Sequence, residues 1–183
     1  MNWTVFGIAA YLSLALQQGL AAVLAIDGRW GVVVPRLELV LLTFVALFAG
    51  TRTTIAAWVV VGLLMDLGEL SRGEAVIVGP YTLACVAGAF TVLQLRATVL
   101  RTHPLSMAFC TICAGVAVSL IFVGIHSVRG MLYGFDGAYA PLTDLVCRSL
   151  GALYTAVFAL LLAVPLVKMV PIFGLQLSRQ IRR

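Results

Sequence analysis

Two cysteines, Cys110 and Cys113, are separated by two residues, a spacing that redox and zinc sites use. Both chemistries need a polar, accessible setting, and a zinc site needs a second pair of ligands. Here the pair lies inside an apolar run, and the other two cysteines, Cys85 and Cys147, also have apolar neighbours. We therefore interpret all four as thiols packed among apolar side chains, without a disulfide or a metal.

Groups suited to acid–base catalysis are scarce. His103 and His126 have no partner residue at metal-site spacing, and the chain contains no phosphate-binding loop, nucleophile elbow or His-Glu-x-x-His helix. Asp136 and Asp144 are near each other, but a glycine-rich loop gives no reason for their pKa values to be pushed apart. The sequence therefore predicts no active site, no metal and no cofactor, and hence a protein that is not an enzyme.

Two carboxylates lie near the ends of apolar runs. Ionisable groups at the centre of a membrane span are costly and tend to be functional, but no run places one there, so the sequence does not favour a proton or ion relay. Glu38 lies just inside one run, and Asp66 lies at the C-terminal end of another. A carboxylate at that end of a helix faces the negative end of the helix dipole. We expect Arg72, or the free amides at the start of the next helix, to compensate Asp66. It would then act either as a clasp between two helices or as a contact for a partner.

The elements that position these groups are apolar helices. Of the 183 residues, 62% are hydrophobic and 10% are charged, and the mean hydropathy is +1.10, whereas soluble domains carry roughly 25% charged residues. One membrane crossing takes about 20 apolar residues, so about six crossings would account for most of the chain. We predict an all-α integral membrane protein, a six-transmembrane-helix bundle that forms a single domain over residues 1–183.

Glycine, proline and charged residues between the apolar runs set the predicted boundaries. The spans cover about residues 5–26, 35–50, 54–67, 75–95, 104–128 and 143–167, with a short basic tail at 171–183. The first run is longer than a secretory signal and no basic residue precedes it, so we expect an uncleaved helix. Pro35 suits a first helical position. Turns are predicted at 27–29 and 51–53, and an irregular loop at 129–142.

Segregation of charge predicts the orientation of the bundle. With both termini in the cytoplasm, that side carries seven of the twelve basic residues, namely Arg52, Arg96, Arg101, Lys168, Arg179, Arg182 and Arg183. All seven acids then fall on the outer side, namely Asp27, Glu38, Asp66, Glu69, Glu74, Asp136 and Asp144. Because basic residues are enriched on cytoplasmic sides, we expect the tail to lie near anionic membrane lipid and not to bind nucleic acid.

Pairs of small residues at four-residue spacing occur in the later spans. They are Ala84/Gly88, Gly115/Ser119 and Ala152/Ala156. Small residues at this spacing let helices approach closely in lipid. We expect these pairs to serve packing inside the bundle, and a contact face for another membrane protein is the alternative.

The order of several motifs is similar to that of a known family. Pro35 opens a Leu/Val-rich span, Gly-Leu-Leu-Met-Asp-Leu at 62–67 closes the next span, and Gly79-Pro80-Tyr81-Thr82-Leu83 belongs to the fourth. In these motifs, and in length and span count over about residues 5–170, the chain resembles the bacterial rod-shape-determining MreD family. The resemblance implies structural or partner-contact roles for one set of residues: Pro35, Gly62, Asp66, Arg72, Gly79, Pro80 and Tyr81.

The resemblance implies a non-catalytic, multi-pass scaffold in the bacterial inner membrane that serves the cell-elongation machinery. It would bind an MreC-like protein and, with MreB filaments and the RodA/transpeptidase synthase, help direct lateral peptidoglycan synthesis and cell shape. The family is also similar in fold to the substrate-binding S components of energy-coupling-factor vitamin transporters, which supply the alternative function. For that alternative, four aromatic residues near the outer ends would line a pocket: Trp30, Tyr133, Phe135 and Tyr139.

Overall fold

A computed structural model describes residues 1–28, 31–70, 79–100, 103–133 and 140–175. This part of the chain forms six helices, with a short antiparallel hairpin between the first two. The helices are α1 (Trp3–Leu24), α2 (Leu37–Phe48), α3 (Thr51–Leu70), α4 (Pro80–Leu95), α5 (Pro104–Tyr133) and α6 (Pro141–Met169). The strands are β1 (Ile26–Gly28) and β2 (Gly31–Val33). The predicted helical fold class and the presence of six helices are confirmed.

Four stretches of helix are long and apolar enough to cross a membrane: Trp3–Leu24, Thr51–Gly68, Pro104–Leu132 and Pro141–Met169. They are compatible with a multi-pass membrane protein. α2 and α4 have 12 and 16 residues. They measure about 18 and 24 Å at 1.5 Å per residue, less than the roughly 30 Å of a hydrocarbon core. The predicted count of six crossings is therefore not supported by the lengths of these two helices.

α2 forms the centre of the bundle. Every residue from Glu38 to Phe48 is buried, and α2 packs against each of the other five helices. A helix that is apolar on all sides is typical of a position enclosed by other elements. The 12 residues of α2 therefore form the core of the bundle and are covered by the surrounding helices.

α1 lies at the periphery. Its buried residues are Phe6 and Ala10, both in its N-terminal half. The N–H of Asn2 donates to the carbonyl of Phe173 at 2.8 Å, and the ring of Phe173 packs on Phe44 with centroids 5.5 Å apart. The chain start is therefore fixed to the bundle, whereas the C-terminal half of α1 has no buried residue.

Small residues permit the close packing that their spacing predicts. A Cβ built on Gly88 would lie 2.6 Å from the ring of Trp58, whose indole N–H donates to the carbonyl of Leu42 at 3.2 Å. A Cβ on Gly115 would lie 2.6 Å from the Cβ of Ala152. Such distances leave no room for a side chain, so these positions serve packing within the bundle.

Several predicted boundaries are wrong by a few residues. The second helix begins at Leu37 and not at Pro35, because the chain stays extended after β2 and Arg36 takes the N-cap position. The reversal predicted at 51–53 lies at Ala49 and Gly50, where Ala49 is extended, and Thr51 already begins α3. α3 then continues to Leu70, three residues beyond the predicted end.

The loop predicted at 129–142 is largely replaced by helix in its described part. α5 continues to Tyr133, since one glycine inside a long helix costs only about 1 kcal/mol, and Pro141 begins α6 at a position that proline favours. Residues 134–139, and the residues 75–78 predicted to begin the fourth span, lie outside the described part. The hairpin at 26–33 replaces a simple turn, because three-residue strands are too short to show alternation.

Candidate functional site

The carboxylates whose positions the structure describes gather at one end of the bundle, which we call the acidic end. They are Asp27, Glu38, Asp66 and Asp144. They lie in β1, at the start of α2, near the end of α3 and at the start of α6. Neighbouring helices run in opposite directions, so these element ends meet on the same side.

Asp66 on α3 caps the N-terminus of α4, a contact that we call the Asp66 clasp. Its Oδ2 accepts hydrogen bonds from the N–H of Gly79 at 3.0 Å and from the N–H and Oγ1 of Thr82 at 3.1 and 2.6 Å. Its Oδ1 accepts from the N–H of Tyr81 at 3.0 Å. These amides are one of the two partners predicted for this carboxylate. The other, Arg72, lies outside the described residues.

The clasp pairs the N–H groups in the first turn of α4 that have no partner within the helix. Pro80 has no N–H to offer, the next two residues donate to Asp66, and the N–H of Leu83 binds the carbonyl of Gly79 at 2.9 Å. A helix begins with N–H groups that lack intrahelical partners, and its positive dipole end attracts anions. These bonds account for a carboxylate that is only 1% exposed.

Two glycines make the clasp possible. Gly62 lies one turn before Asp66, and a Cβ there would come within 2.8 Å of the Cα of Thr82. Gly79 has a φ of +137°, which residues with a side chain rarely adopt, and in this conformation its N–H reaches Asp66. Five of the seven predicted candidate residues therefore meet in one contact, namely Gly62, Asp66, Gly79, Pro80 and Tyr81.

Tyr81 connects the clasp to α5 and α6. Its hydroxyl accepts a hydrogen bond from Nη1 of Arg148 at 3.4 Å, and its ring lies 4.6 Å from that of Phe122. The guanidinium of Arg148 lies 4.1 Å from the Phe122 centroid, and its Nε donates to both oxygens of Asp144 at 2.9 Å. Sequence reasoning missed this cluster, although opposite charges four residues apart on a helix are a recognisable signal.

A cavity of about 340 Å³ opens beside the clasp. Its polar lining comes from α1, α2, α4 and α6, namely Gln17, Gln18, Arg36, Tyr81, Asp144 and Arg148. Its less polar walls are formed by Leu14, Val32, Val34, Pro35, Leu64, Met65, Gly68, Cys147 and Gly151. Pro35, the sixth described candidate residue, therefore belongs to the cavity wall and not to the clasp.

The aromatic pocket predicted for the alternative function falls outside what the structure describes. Trp30, Phe135 and Tyr139 are not among the described residues, and Tyr133 is described only as the last residue of α5. The cavity that is present has different walls. Its single aromatic lining residue among those described is Tyr81.

The thiols and imidazoles show no arrangement for metal chemistry in the described ranges, which hold no group of three or more possible ligands. The four cysteines are not in disulfides, and Cys85 and Cys110 are buried. His126 stacks on Phe122 with centroids 4.1 Å apart, and its Nδ1 lies 3.0 Å from the carbonyl oxygen of that residue. These side chains contribute packing and local hydrogen bonds.

At the opposite end of the bundle, Arg96 closes α2. Its Nη1 donates to the carbonyls of Ala46 and Ala49 at 3.3 and 2.8 Å, and its Nη2 donates to Oγ1 of Thr51 at 2.9 Å. The last carbonyls of a helix lack intrahelical partners, and a cation is favoured there. Each of the two short helices is therefore capped by a charged side chain from outside it. Asp66 caps the N-terminus of α4, and Arg96 caps the C-terminus of α2.

The fold and the site define a helical bundle with four helices able to cross a membrane and a polar cavity at its acidic end. No protein-family model matches the chain, and neither a curated protein nor a solved structure shows detectable similarity to it.

Proposed function

We propose that this protein is a non-catalytic membrane scaffold of the MreD type. In this proposal it binds an MreC-like protein and the RodA/transpeptidase synthase, and it helps direct lateral peptidoglycan synthesis and cell shape. The observation that carries the proposal is the Asp66 clasp. It joins two of the motifs that carry the resemblance, Gly62 to Leu67 and Gly79 to Leu83, in one contact. Because the two motifs contact each other, their joint presence in this chain is better explained by a shared structural role than by chance.

The bonding of the charged groups also supports a scaffold. The carboxylate of Asp66 is buried and accepts four hydrogen bonds from α4. Asp144 and Arg148 bind each other. A general base or a proton carrier needs a lone pair that a substrate or water can reach, whereas Asp66 is buried and already accepts hydrogen bonds through both oxygens. The bonds of Asp66 join α3 to α4, and the bond from Arg148 to Tyr81 joins α6 to α4. Such links between helices are what a rigid docking platform requires.

The proposal places the chain in the bacterial inner membrane as a multi-pass protein with both termini in the cytoplasm. The acidic end then faces outward, and the basic residues of 171–183 lie near anionic lipid. In this proposal α2 and α4 belong to the second and fourth of six crossings. This orientation rests on the segregation of acids from basic residues along the chain.

Depletion of the protein in a rod-shaped host tests the proposal. We expect depleted cells to widen and round, and newly inserted, fluorescently labelled peptidoglycan to lose its lateral pattern. Re-expression of the wild type should restore the rods, whereas an equal membrane level of the Asp66→Leu variant should not. Cells that keep their width and their labelling pattern throughout depletion would contradict the proposal.

The cavity favours a second candidate, the S component of an energy-coupling-factor vitamin transporter. Its volume of about 340 Å³ falls in the range of small-molecule sites, roughly 300–1,000 Å³. An S component would capture its substrate from the outer side and dock onto a membrane coupling subunit. In the same depletion strain this function predicts normal cell shape and the loss of uptake of one labelled vitamin.

A further inference from the structure

Arg36 is a cation of the cavity lining without an acceptor. Its backbone N–H binds Oγ1 of Thr155 at 2.8 Å, which fixes the residue at the cavity wall. Its guanidinium lies 5.7 Å from the ring centroid of Tyr81. Within the described residues it makes no hydrogen bond or ion pair through its side chain. A half-buried guanidinium with five N–H donors is normally paired, because desolvated donors are costly when unsatisfied.

No carboxylate in the described part of the chain forms an ion pair with Arg36, although the nearby charge of Glu38 attracts it. Glu38 lies two residues further along the chain and is 4% exposed, yet it forms no ion pair with Arg36. Its Oε2 has no hydrogen-bond partner in the part of the chain that is described. Asp144 is engaged by Arg148 through both oxygens. Among the described residues that line the cavity there are two guanidinium groups and one carboxylate, and that carboxylate belongs to Asp144.

The peripheral helix α1 contributes amides to the same space. Gln17 and Gln18 interrupt an otherwise apolar run, and both line the cavity. The Oε1 of Gln17 is buried without a hydrogen-bond partner in the described structure. A 180° flip of the side-chain amide exchanges the oxygen and the NH₂ group, so that Gln17 presents a donor at this position instead. Gln17, Arg36 and Arg148 therefore offer donors to one volume from α1, from the N-cap of α2 and from α6.

We propose that this cavity binds a single oxyanion group, a phosphate or a carboxylate, with Arg36 as its principal contact. A guanidinium fork pairs with such groups through two parallel, charge-assisted hydrogen bonds. Binding would satisfy the donors of the Arg36 guanidinium. The inference is independent of the proposed scaffold function, because it rests on the cavity alone.

The same chemistry has two sources, the headgroup of an anionic lipid and a free anion. Leu64 and Met65 of α3 form an apolar wall of the cavity, and Leu64 is 45% exposed on the surface of the bundle. This wall therefore connects the cavity to the surface that an acyl chain would contact. The loosely packed C-terminal half of α1 forms the facing wall.

Native mass spectrometry of the purified full-length protein in detergent tests the site. The probes are dioleoyl phosphatidylglycerol, dioleoyl phosphatidylcholine and inorganic phosphate, each titrated separately. The variants are Arg36→Gln, Arg36→Lys and Gln17→Leu. The last of these alters only the peripheral helix α1. Arg52→Gln is the matched control, because Arg52 is exposed in the first turn of α3 and does not line the cavity.

We expect saturable binding of one anion per wild-type protein. Arg36→Gln should weaken the affinity roughly tenfold or more, since a charge-assisted hydrogen bond is lost. Gln17→Leu and Arg36→Lys should weaken it less, and Arg52→Gln should leave it unchanged. Preference for phosphatidylglycerol over both other probes identifies a lipid headgroup, whereas binding of inorganic phosphate identifies a free anion. Equal affinities of wild type, Arg36→Gln and Gln17→Leu, or no saturable binding of any probe, would overturn the proposal.

Discussion

Gly62 of α3 and Thr82 of α4 lie so close that a Cβ on Gly62 would stand 2.8 Å from the Cα of Thr82. One turn later, Asp66 accepts hydrogen bonds from the N–H and Oγ1 of the same threonine at 3.1 and 2.6 Å. Residues four apart share one face of a helix. The Gly-x-x-x-Asp spacing therefore lets α4 approach α3 and then holds its first turn in place.

Replacing Asp66 should destabilise the fold in graded steps. Asp66→Leu leaves three N–H groups and a hydroxyl unpaired in a buried site, which should cost about 3 kcal/mol or more. Asp66→Asn retains one oxygen, but its NH₂ would face the N–H of Tyr81, so we expect roughly half that loss. The measurement is the fraction of monodisperse protein after heating in detergent.

Asp27→Asn is the control for this series, because Asp27 is an exposed residue of the hairpin. It should melt like the wild type. A melting temperature for Asp66→Leu that equals that of Asp27→Asn would show that the clasp contributes nothing to stability.

Gly62→Ala should separate α3 from α4. The new methyl group would meet a backbone atom at 2.8 Å and the Cβ of Cys85 at 3.2 Å, and backbone atoms yield only if the helices move. Such overpacking costs about 1 to 3 kcal/mol. Gly124→Ala is the matched control, since nothing lies within 4 Å of its new methyl group. Equal thermal stability of the two variants would refute the close approach.

Arg96→Gln should loosen the opposite end of the bundle. The variant loses the charged donors to Ala46 and Ala49 at the C-terminus of α2, which should cost about 1 to 2 kcal/mol. Hydrogen exchange of the last turn of α2 is the direct measurement, and we expect faster exchange there than in the wild type. Arg52→Gln removes an equal charge from an exposed site and should leave this exchange unchanged. The same exchange rate in both variants would argue against the cap.

Gly88→Ala and Trp58→Phe should compensate each other in part. The new methyl group would lie 2.6 Å from an atom of the six-membered indole ring, and phenylalanine is smaller there. Each single variant should be destabilised by about 1 to 2 kcal/mol, the tryptophan change through loss of the N–H bond to Leu42 as well. The double variant should be more stable than the sum predicts, which a double-mutant cycle measures. Strict additivity would count against direct contact.

The helices and the partner of Asp66 were predictable because both depend on local signals. Apolar run lengths gave the helices, and a carboxylate at a helix end has few possible partners. The central place of α2 was not predictable, since a helix enclosed by protein and one facing lipid are equally apolar. The cavity was not predictable because it lies between α1, α3 and α6, and the spacing between helices cannot be read from the sequence. The contact of Arg148 with Tyr81 joins residues 67 positions apart, which no spacing rule reveals.

Co-purification tests the central claim most directly. The protein is tagged, solubilised from native membranes in mild detergent and captured, and the proteins retained with it are identified by mass spectrometry. The scaffold account predicts recovery of an MreC-like protein or the RodA/transpeptidase synthase with the wild type, and a reduced yield with Asp66→Leu at equal protein level. Recovery of a transporter ATPase and its membrane coupling subunit instead, with none of the wall-synthesis proteins, would contradict the account.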